Sequence, residues 1–459
     1  MHPKKTKSVS KEGAPIALGT ENVGKLLMQY AIPAVIAMTA SSLYNITDSI
    51  FIGHGVGSMA LSGLAITFPL MNLAAAFGAL VGVGASTLMS VRLGQKDYDT
   101  ANNILGNVFV LNLIFGVAYS IIVLAFLKPI LYFFGASEQT LPYAYDFMQI
   151  LLCGNVVTHM YFGLNAVLRS SGHPKKAMYA TILTVMINMV LNPLFIFGFG
   201  WGIRGSAFAT VIAQIIVLLW QIHIFSDKNN FIHLKKGIYR LKKKIVKDTI
   251  SIGMAPFLMN SASCVIVILI NQGMIRTGGD LAVGAYGIVN RVAFLFVMVV
   301  MGLNQGMQPI AGYNYGAGLY PRVMDVLKKA VIIATIIMAI GFLIVELFPH
   351  AVASVFTSDD ALIEQAVIGL RYVFFLYPLV AFQMVTSAFF QSIGKPMKAI
   401  LLSVTRQVLF LIPCLLILPN FWGAKGVWIS LPIADALSII VSMLLLTNEI
   451  KKFKTAKSL

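Results

Sequence analysis

Long apolar runs separated by short polar breaks cover nearly the whole chain. A membrane-spanning helix needs about 20 mostly apolar residues. Twelve runs meet that requirement: 26–52, 59–91, 100–127, 138–168, 174–198, 203–225, 248–276, 280–310, 320–347, 359–392, 396–418 and 425–450. The runs are continuous rather than alternating at a period of two, which predicts helices and not the strands of a membrane barrel. Several exceed about 25 residues and imply tilt, kinks or protruding ends. The predicted fold class is an all-α integral membrane protein with twelve transmembrane helices. Residues 1–24 carry Lys4, Lys5, Lys7 and Lys11 but no apolar core. They read as a mobile cytoplasmic tail and not as a secretory signal.

Composition supports this reading. The chain is 58% hydrophobic and 11% charged, against about 25% charged in soluble domains. A soluble fold and a disordered chain are both excluded. The net charge of +17 raises nucleic acid as a partner, but the bases sit in short loops between apolar runs and form no soluble basic face. With the N-terminus inside, 27 of the 34 Lys and Arg fall on inward segments and four (Lys128, Arg204, Arg276, Lys425) on outward ones. The other three, Arg291, Arg371 and Arg406, lie within helices. The positive-inside rule then puts both termini in the cytoplasm and the protein in the cytoplasmic membrane. Cys153, Cys264 and Cys414 lie inside apolar runs, with neither metal spacing nor a disulfide framework.

The basic segment 226–247 divides the chain into a first lobe at 25–225 and a second at 248–450, followed by a cytoplasmic tail at 451–459. The segment reads as a solvated linker or a surface helix touching anionic lipid heads. The two lobes repeat each other. RSSGHPKKA from Arg169 matches QSIGKPMKA from Gln391, and WGIRG from Trp201 matches WGAKG from Trp422. Gly94 and Gly316 have the same spacing along the chain as Gly172 and Gly394, and the spacing of Trp201 and Trp422 is one position shorter. Six crossings per lobe, an even number, make the repeats parallel: two six-helix bundles related by a pseudo-twofold axis along the membrane normal. Such repeats are typical of transporters that rock one bundle against the other around a site between them.

Asp48 and Asp435 are the acids placed clearly within helices, and an ionisable side chain in lipid is a functional candidate by default. At about 1.5 Å per residue, Asp48 lies about 6 Å from the outer end of its helix. Asn188 and Asn192, four apart and so on one face, lie at about 14 and 9 Å, and Thr210 at about 10 Å. One carboxylate, two amides and a hydroxyl at overlapping depths suit a hard cation such as Na⁺, or a proton on the carboxylate. The alternative is helix-to-helix packing by polar groups. At the matching positions the second lobe has Asn271 and Leu431 for Asp48 and Thr210, so coupling is expected in the first lobe alone.

In the second lobe, Arg291, Arg371, Arg406 and Asp435 fall roughly 15–18 Å deep. Arg406 and Asp435 sit on consecutive helices at one depth and are expected to pair. The arginines clamp helices together, or they form a basic cavity wall favouring anionic or zwitterionic substrates. Asn271, Gln305 and Gln383, with Asn260, Asn290 and Gln308, are candidate polar contacts in the cavity. Pro33 and Pro256 hold matching places early in helices 1 and 7 and are candidate hinges.

The stretches Tyr44–Thr67, RSSGHP, Asn192–Thr210 and Gly302–Gly318 resemble the multidrug and toxic compound extrusion (MATE) family in its bacterial drug-exporter branch. The resemblance covers nearly all the chain from about residue 20. It implies an antiporter driven by inward Na⁺ or H⁺ that exports small, amphipathic, often cationic organic compounds, with membrane lipids as surroundings. It also implies that the protein works as a monomer without a cofactor beyond the coupling ion. Asp48 matches the family's helix 1 aspartate, and Asn188 and Thr210 match its polar ligands. Asn192 departs from the pattern, because many relatives carry a second Asp there. That loss leaves coupling to Asp48 alone. The rival reading is a flippase for a lipid or lipid-linked sugar, with the basic second lobe holding pyrophosphate. An enzyme is not expected: among the seven His only His159 is clearly within a helix, no nucleophile–base or metal cluster is evident, and there is no GxxxxGK[ST] loop.

Overall fold

The computed structural model describes residues 16–457. Its helices run α1 Ala17–Thr20, α2 Val23–Gly55, α3 Ser58–Gly94, α4 Tyr98–Ala125 and α5 Leu127–Phe133. They continue as α6 Leu141–Cys153, α7 Asn155–Ser170, α8 Pro174–Pro193 and α9 Gly202–Ser226. The second lobe holds α10 Lys243–Gly279, α11 Leu281–Gly316 and α12 Tyr320–Leu347. Next come α13 Pro349–Ser354, α14 Asp360–Phe374, α15 Tyr377–Ser392, α16 at 396–422 and α17 at 424–457.

Among the described residues, nine helical stretches are long and apolar enough to cross a membrane, and two bent pairs raise the count to 11. One of the nine, Pro396–Phe453, is two crossings. Arg406 on it bonds Asp435, and Lys395 and Lys398 both bond Glu449. A straight helix would hold residues 395 and 449 about 80 Å apart, so the chain must double back between them. It does so at Gly423, whose φ of 57° suits glycine and disfavours other residues. That completes the twelve crossings.

The duplication is legible in the backbone. Positive φ recurs at Gly57 and Gly279, Lys96 and Gly318, Gly172 and Gly394, and Gly202 and Gly423. The first three pairs share one spacing along the chain, and the fourth is one position shorter. The fourth and tenth crossings are not the unbroken helices expected over 138–168 and 359–392. The fourth bends by 57° between α6 and α7, and the tenth by 52° between α14 and α15. Pro33 and Pro256, the expected hinges, lie inside helices that run on unbroken past them.

The lobes meet in reciprocal glycine contacts. A Cβ on Gly94 would come within 2.0 Å of the Tyr313 carbonyl oxygen, and one on Gly316 within 2.0 Å of the Val91 carbonyl oxygen. Val91 and Tyr313 are spaced along the chain as Gly94 and Gly316 are, so the two contacts are one contact seen twice about a pseudo-twofold axis. Gly84 and Gly253 bring α3 against α10, and Gly302 and Gly306 bring α11 against α2. All lie in the half that carries the termini.

The helix faces that seal near the termini also locate the opening. Arg291 and Leu295 precede Gly302 by about three and about two helical turns, and share its face to within about 20°. Ile46 likewise lies about three turns beyond Val35, the residue Gly302 touches. Ile46 is 56% and Leu295 59% exposed. The faces that seal near the termini are therefore bare farther along, and a cleft opens at the opposite end. Gln305 donates across the seal to Met38 Sδ at 3.5 Å, and Gln308 to Thr87 Oγ1 at 2.9 Å. Gln305 thus belongs to the seal and not to an open cavity.

Two lead-in segments depart from expectation. Residues 1–15 of the expected tail lie outside the described residues, but residues 16–22 are docked. Leu18 is 1% exposed. Its carbonyl accepts from Asn314 Nδ2 at 2.9 Å and Arg322 Nη2 at 3.1 Å, both in the second lobe. The basic segment 226–247 is neither a free linker nor a surface helix through its middle. It crosses α4 in irregular backbone, held by Asn102 through Phe231 and His233 and by Asn107 through Ile238, Arg240 and Lys242. Gly106 allows the approach, since a Cβ there would sit 2.2 Å from the Ile238 carbonyl oxygen. Each lobe's first helix is therefore anchored at its foot on the other lobe. The expected C-terminal tail continues α17 as helix to Lys457.

Candidate functional site

Three helices of the first lobe build the site. α2 supplies Tyr44 and Asp48, α8 supplies Asn188 and Asn192, and α9 supplies Ser206 and Thr210. Each pair is four residues apart, which stacks the two side chains on one helix face. Pro193 has no N–H to continue an α-helical ladder, and α8 passes directly into a π-helical turn, Leu194–Gly198. That turn is wedged between two glycines. Gly55 lies against Ile196 and Phe197, and Gly205 against the Phe195 backbone. The close approach at Gly205 carries Ser206 up to Asp48.

Asp48 is 8% exposed. Its Oδ1 accepts from Ser206 Oγ at 2.6 Å and from Asn192 Nδ2. Asn192 Nδ2 also reaches Asn188 Oδ1 at 3.4 Å. Asn188 Nδ2 donates to Thr210 Oγ1 at 3.0 Å and to the Tyr44 hydroxyl at 3.2 Å. Tyr44 and Thr210 are themselves 2.9 Å apart. The four residues expected from the sequence are thus brought together in one network, with Tyr44 and Ser206 added.

Two features bear on what this network can do. No Lys or Arg pairs with Asp48 among the described residues. Asn192 Oδ1 is buried without a hydrogen-bond partner among the described residues. A buried carboxylate without a cation beside it, next to an orphaned amide oxygen, can take up a proton or a small hard cation. The network has no copy in the second lobe, where Val427 and Leu431 stand at the places of Ser206 and Thr210.

The second lobe has its own polar core. Arg406 Nε donates to Asp435 Oδ1 at 2.7 Å, the pairing expected from their depth. Arg406 sits in a second π-helical stretch, Thr405–Leu411. The neighbouring Gln407 donates to Ser263 Oγ on α10 at 3.4 Å. Arg291 is exposed on the cleft side of α11, whereas Arg371 is exposed on the Glu364 side of α14, with no ion pair for either among the described residues. Gln383 is buried and Asn271 half-buried. The structure therefore gathers Arg406 and Asp435 but does not draw the remaining candidates around them. Sequence reasoning missed Glu449, fully buried between Lys395 and Lys398 near the terminal face. Its place at the end of the last apolar run made it look solvated.

A family model described as MatE matches residues 33–194 and 252–416, one segment in each lobe. The chain belongs to the MATE family. It is 27% identical over 422 residues to the multidrug export protein MepA of Staphylococcus haemolyticus, covering 92% of this chain and 93% of that protein. A MATE crystal structure described as being in the bent conformation superposes with a TM-score of 0.91 at 26% identity, over 98% of this chain and 99% of that one. An outward-facing multidrug resistance MATE transporter superposes with a TM-score of 0.89 at 26% identity, over 97% and 99% of the two chains. The fold of this MATE protein is thus the twelve-helix, two-bundle architecture of a membrane transporter.

Proposed function

We propose that this protein is a secondary active exporter of small amphipathic organic compounds, driven by inward H⁺ or Na⁺. The multidrug export named for its relatives supports the substrate class. The strong bias of Lys and Arg toward the terminal face supports a cytoplasmic location for both termini. In that orientation the cleft opens outward. A cation entering from outside binds at Asp48, with Asn188, Asn192, Ser206, Thr210 and Tyr44 supplying oxygens around it. Binding reorders hydrogen bonds that tie α2 to α8 and α9, which reshapes the first lobe and releases substrate outward. Return to the inward-open state delivers the cation to the cytoplasm. Coupling arises because the cation and the substrate favour different states.

The observation that carries this reading is the buried Asp48 carboxylate with no basic partner among the described residues. The experiment is transport in vesicles under separately imposed Na⁺ and pH gradients. Asp48→Asn preserves shape and removes the charge. Its gradient-driven export is expected to fall to the level of empty vesicles while the protein still inserts. Export at the wild-type rate by the inserted variant would overturn the assignment.

A further inference from the structure

The Arg406–Asp435 pair has a shape that a simple structural clamp would not need. Asp435 takes only the Nε edge of the guanidinium. Neither Nη nitrogen carries a hydrogen bond among the described residues, and neither is sealed in the protein. The Arg406 side chain keeps 30% exposure, against 10% for Asp435. The groups about it belong to the second lobe. Asp435 approaches from α17, Tyr377 at the start of α15 lies within electrostatic reach of both charges, and Gln407, next in the chain, ties α16 to α10.

The same four helices carry five buried polar atoms without partners among the described residues. They are Ser261 Oγ on α10, Thr386 Oγ1 on α15, Thr405 Oγ1 and Gln407 Oε1 on α16, and Ser438 Oγ on α17. Buried polar groups are ordinarily satisfied by protein, water or ligand. Five unmet ones lie on the helices that position a guanidinium whose two Nη amines are free, which leaves polar capacity there for an occupant.

We infer that the second lobe holds an oxyanion-binding subsite in which Arg406, oriented by Asp435, presents its Nη edge to a carboxylate, sulfonate or phosphate on the transported compound. A planar guanidinium donates two parallel N–H bonds to such groups, which a lysine cannot reproduce. This subsite deepens the proposed export function and rests on it for the word transported. It makes the preferred cargo an amphiphile with an acidic group rather than a simple cation.

The test is equilibrium binding to purified full-length protein, with no gradient, so that a failure here leaves the coupling proposal untouched. The probes are naphthalene-2-sulfonate and (2-naphthylmethyl)trimethylammonium, which share an aromatic body and carry opposite charge. Wild type is expected to prefer the sulfonate. Arg406→Lys keeps the charge and loses the fork, and should weaken sulfonate binding about tenfold or more with little effect on the ammonium probe. Asp435→Asn leaves the arginine uncompensated and should tighten the sulfonate. Equal loss of both probes in either folded variant, or a wild-type preference for the ammonium probe, would overturn the inference.

Discussion

Arg322→Ala tests how the terminal face is held shut. Arg322 donates from Nη2 to the Leu18 carbonyl at 3.1 Å and the Glu21 carbonyl at 2.6 Å, and from Nε to Asn314 Oδ1 at 2.9 Å. The first two acceptors lead into the first lobe, and the arginine belongs to the second. Each hydrogen bond from a charged donor contributes about 1.5–3 kcal/mol. The residue is half-buried, so water replaces part of what is lost, and Asn314 still holds the Leu18 carbonyl. The net loss is then about 1–3 kcal/mol, equivalent to a shift of roughly 5- to 150-fold between the state described here and one open at the terminal face. Spin labels at Lys96 and Lys328, both exposed at that face on opposite lobes, report the distance by pulsed electron resonance. The variant should gain a longer-distance population, and Arg322→Lys, which keeps charge without the fork, should fall between the two. An unchanged distribution in folded Arg322→Ala would show that the strap does not set the balance.

Two further outcomes follow from buried charge. Arg406→Ala strands the Asp435 carboxylate and should destabilise the protein by about 3–5 kcal/mol. Adding Asp435→Ala should recover part of that loss, and strict additivity in thermal unfolding would argue against the pair. His173, in the loop between α7 and α8, is held neutral by burial and secondarily by the Lys176 charge, which lower its pKa to about 4. The unfolded chain binds a proton first, near pH 6.5, so stability should fall as pH drops from about 6.5 to about 4 and level off below that. Melting temperature against pH in a fixed detergent reads this, and His173→Gln should flatten the curve over that window.

The crossings were legible because hydrocarbon thickness sets a length that no loop imitates. The duplication was legible because glycines that must take positive φ tolerate few replacements, which preserved the spacing of Gly172 and Gly394. Asp48 stood out as an acid in an apolar run, and its spacing to Asn188, Asn192 and Thr210 followed from depth alone. Tyr44 and Ser206 did not stand out, because hydroxyls are common in membrane helices and bond their own carbonyls. Their signal was the four-residue step from Asp48 and from Thr210. The bends near Gly154 and Leu376 were hidden by unbroken hydrophobicity, which registers how apolar a segment is and not its direction. The docked segments at 16–22 and 231–242 were hidden for the opposite reason. Their polar composition resembles solvated chain, while their anchors, Asn102, Asn107 and Arg322, lie far away in sequence.

The confinement of the Asp48 network to one bundle sets a ceiling on the work the proposed pump can do. If Asp48 is the coupling site as proposed, one carboxylate neutralises one elementary charge, and each cycle would admit a single monovalent ion however the rest of the scaffold is doubled. At about 2.3 kcal/mol per 100 mV, that ion's electrical energy can hold an uncharged cargo at about a fiftyfold concentration ratio. Cargo that itself carries a negative charge outward moves with the voltage and can be driven further.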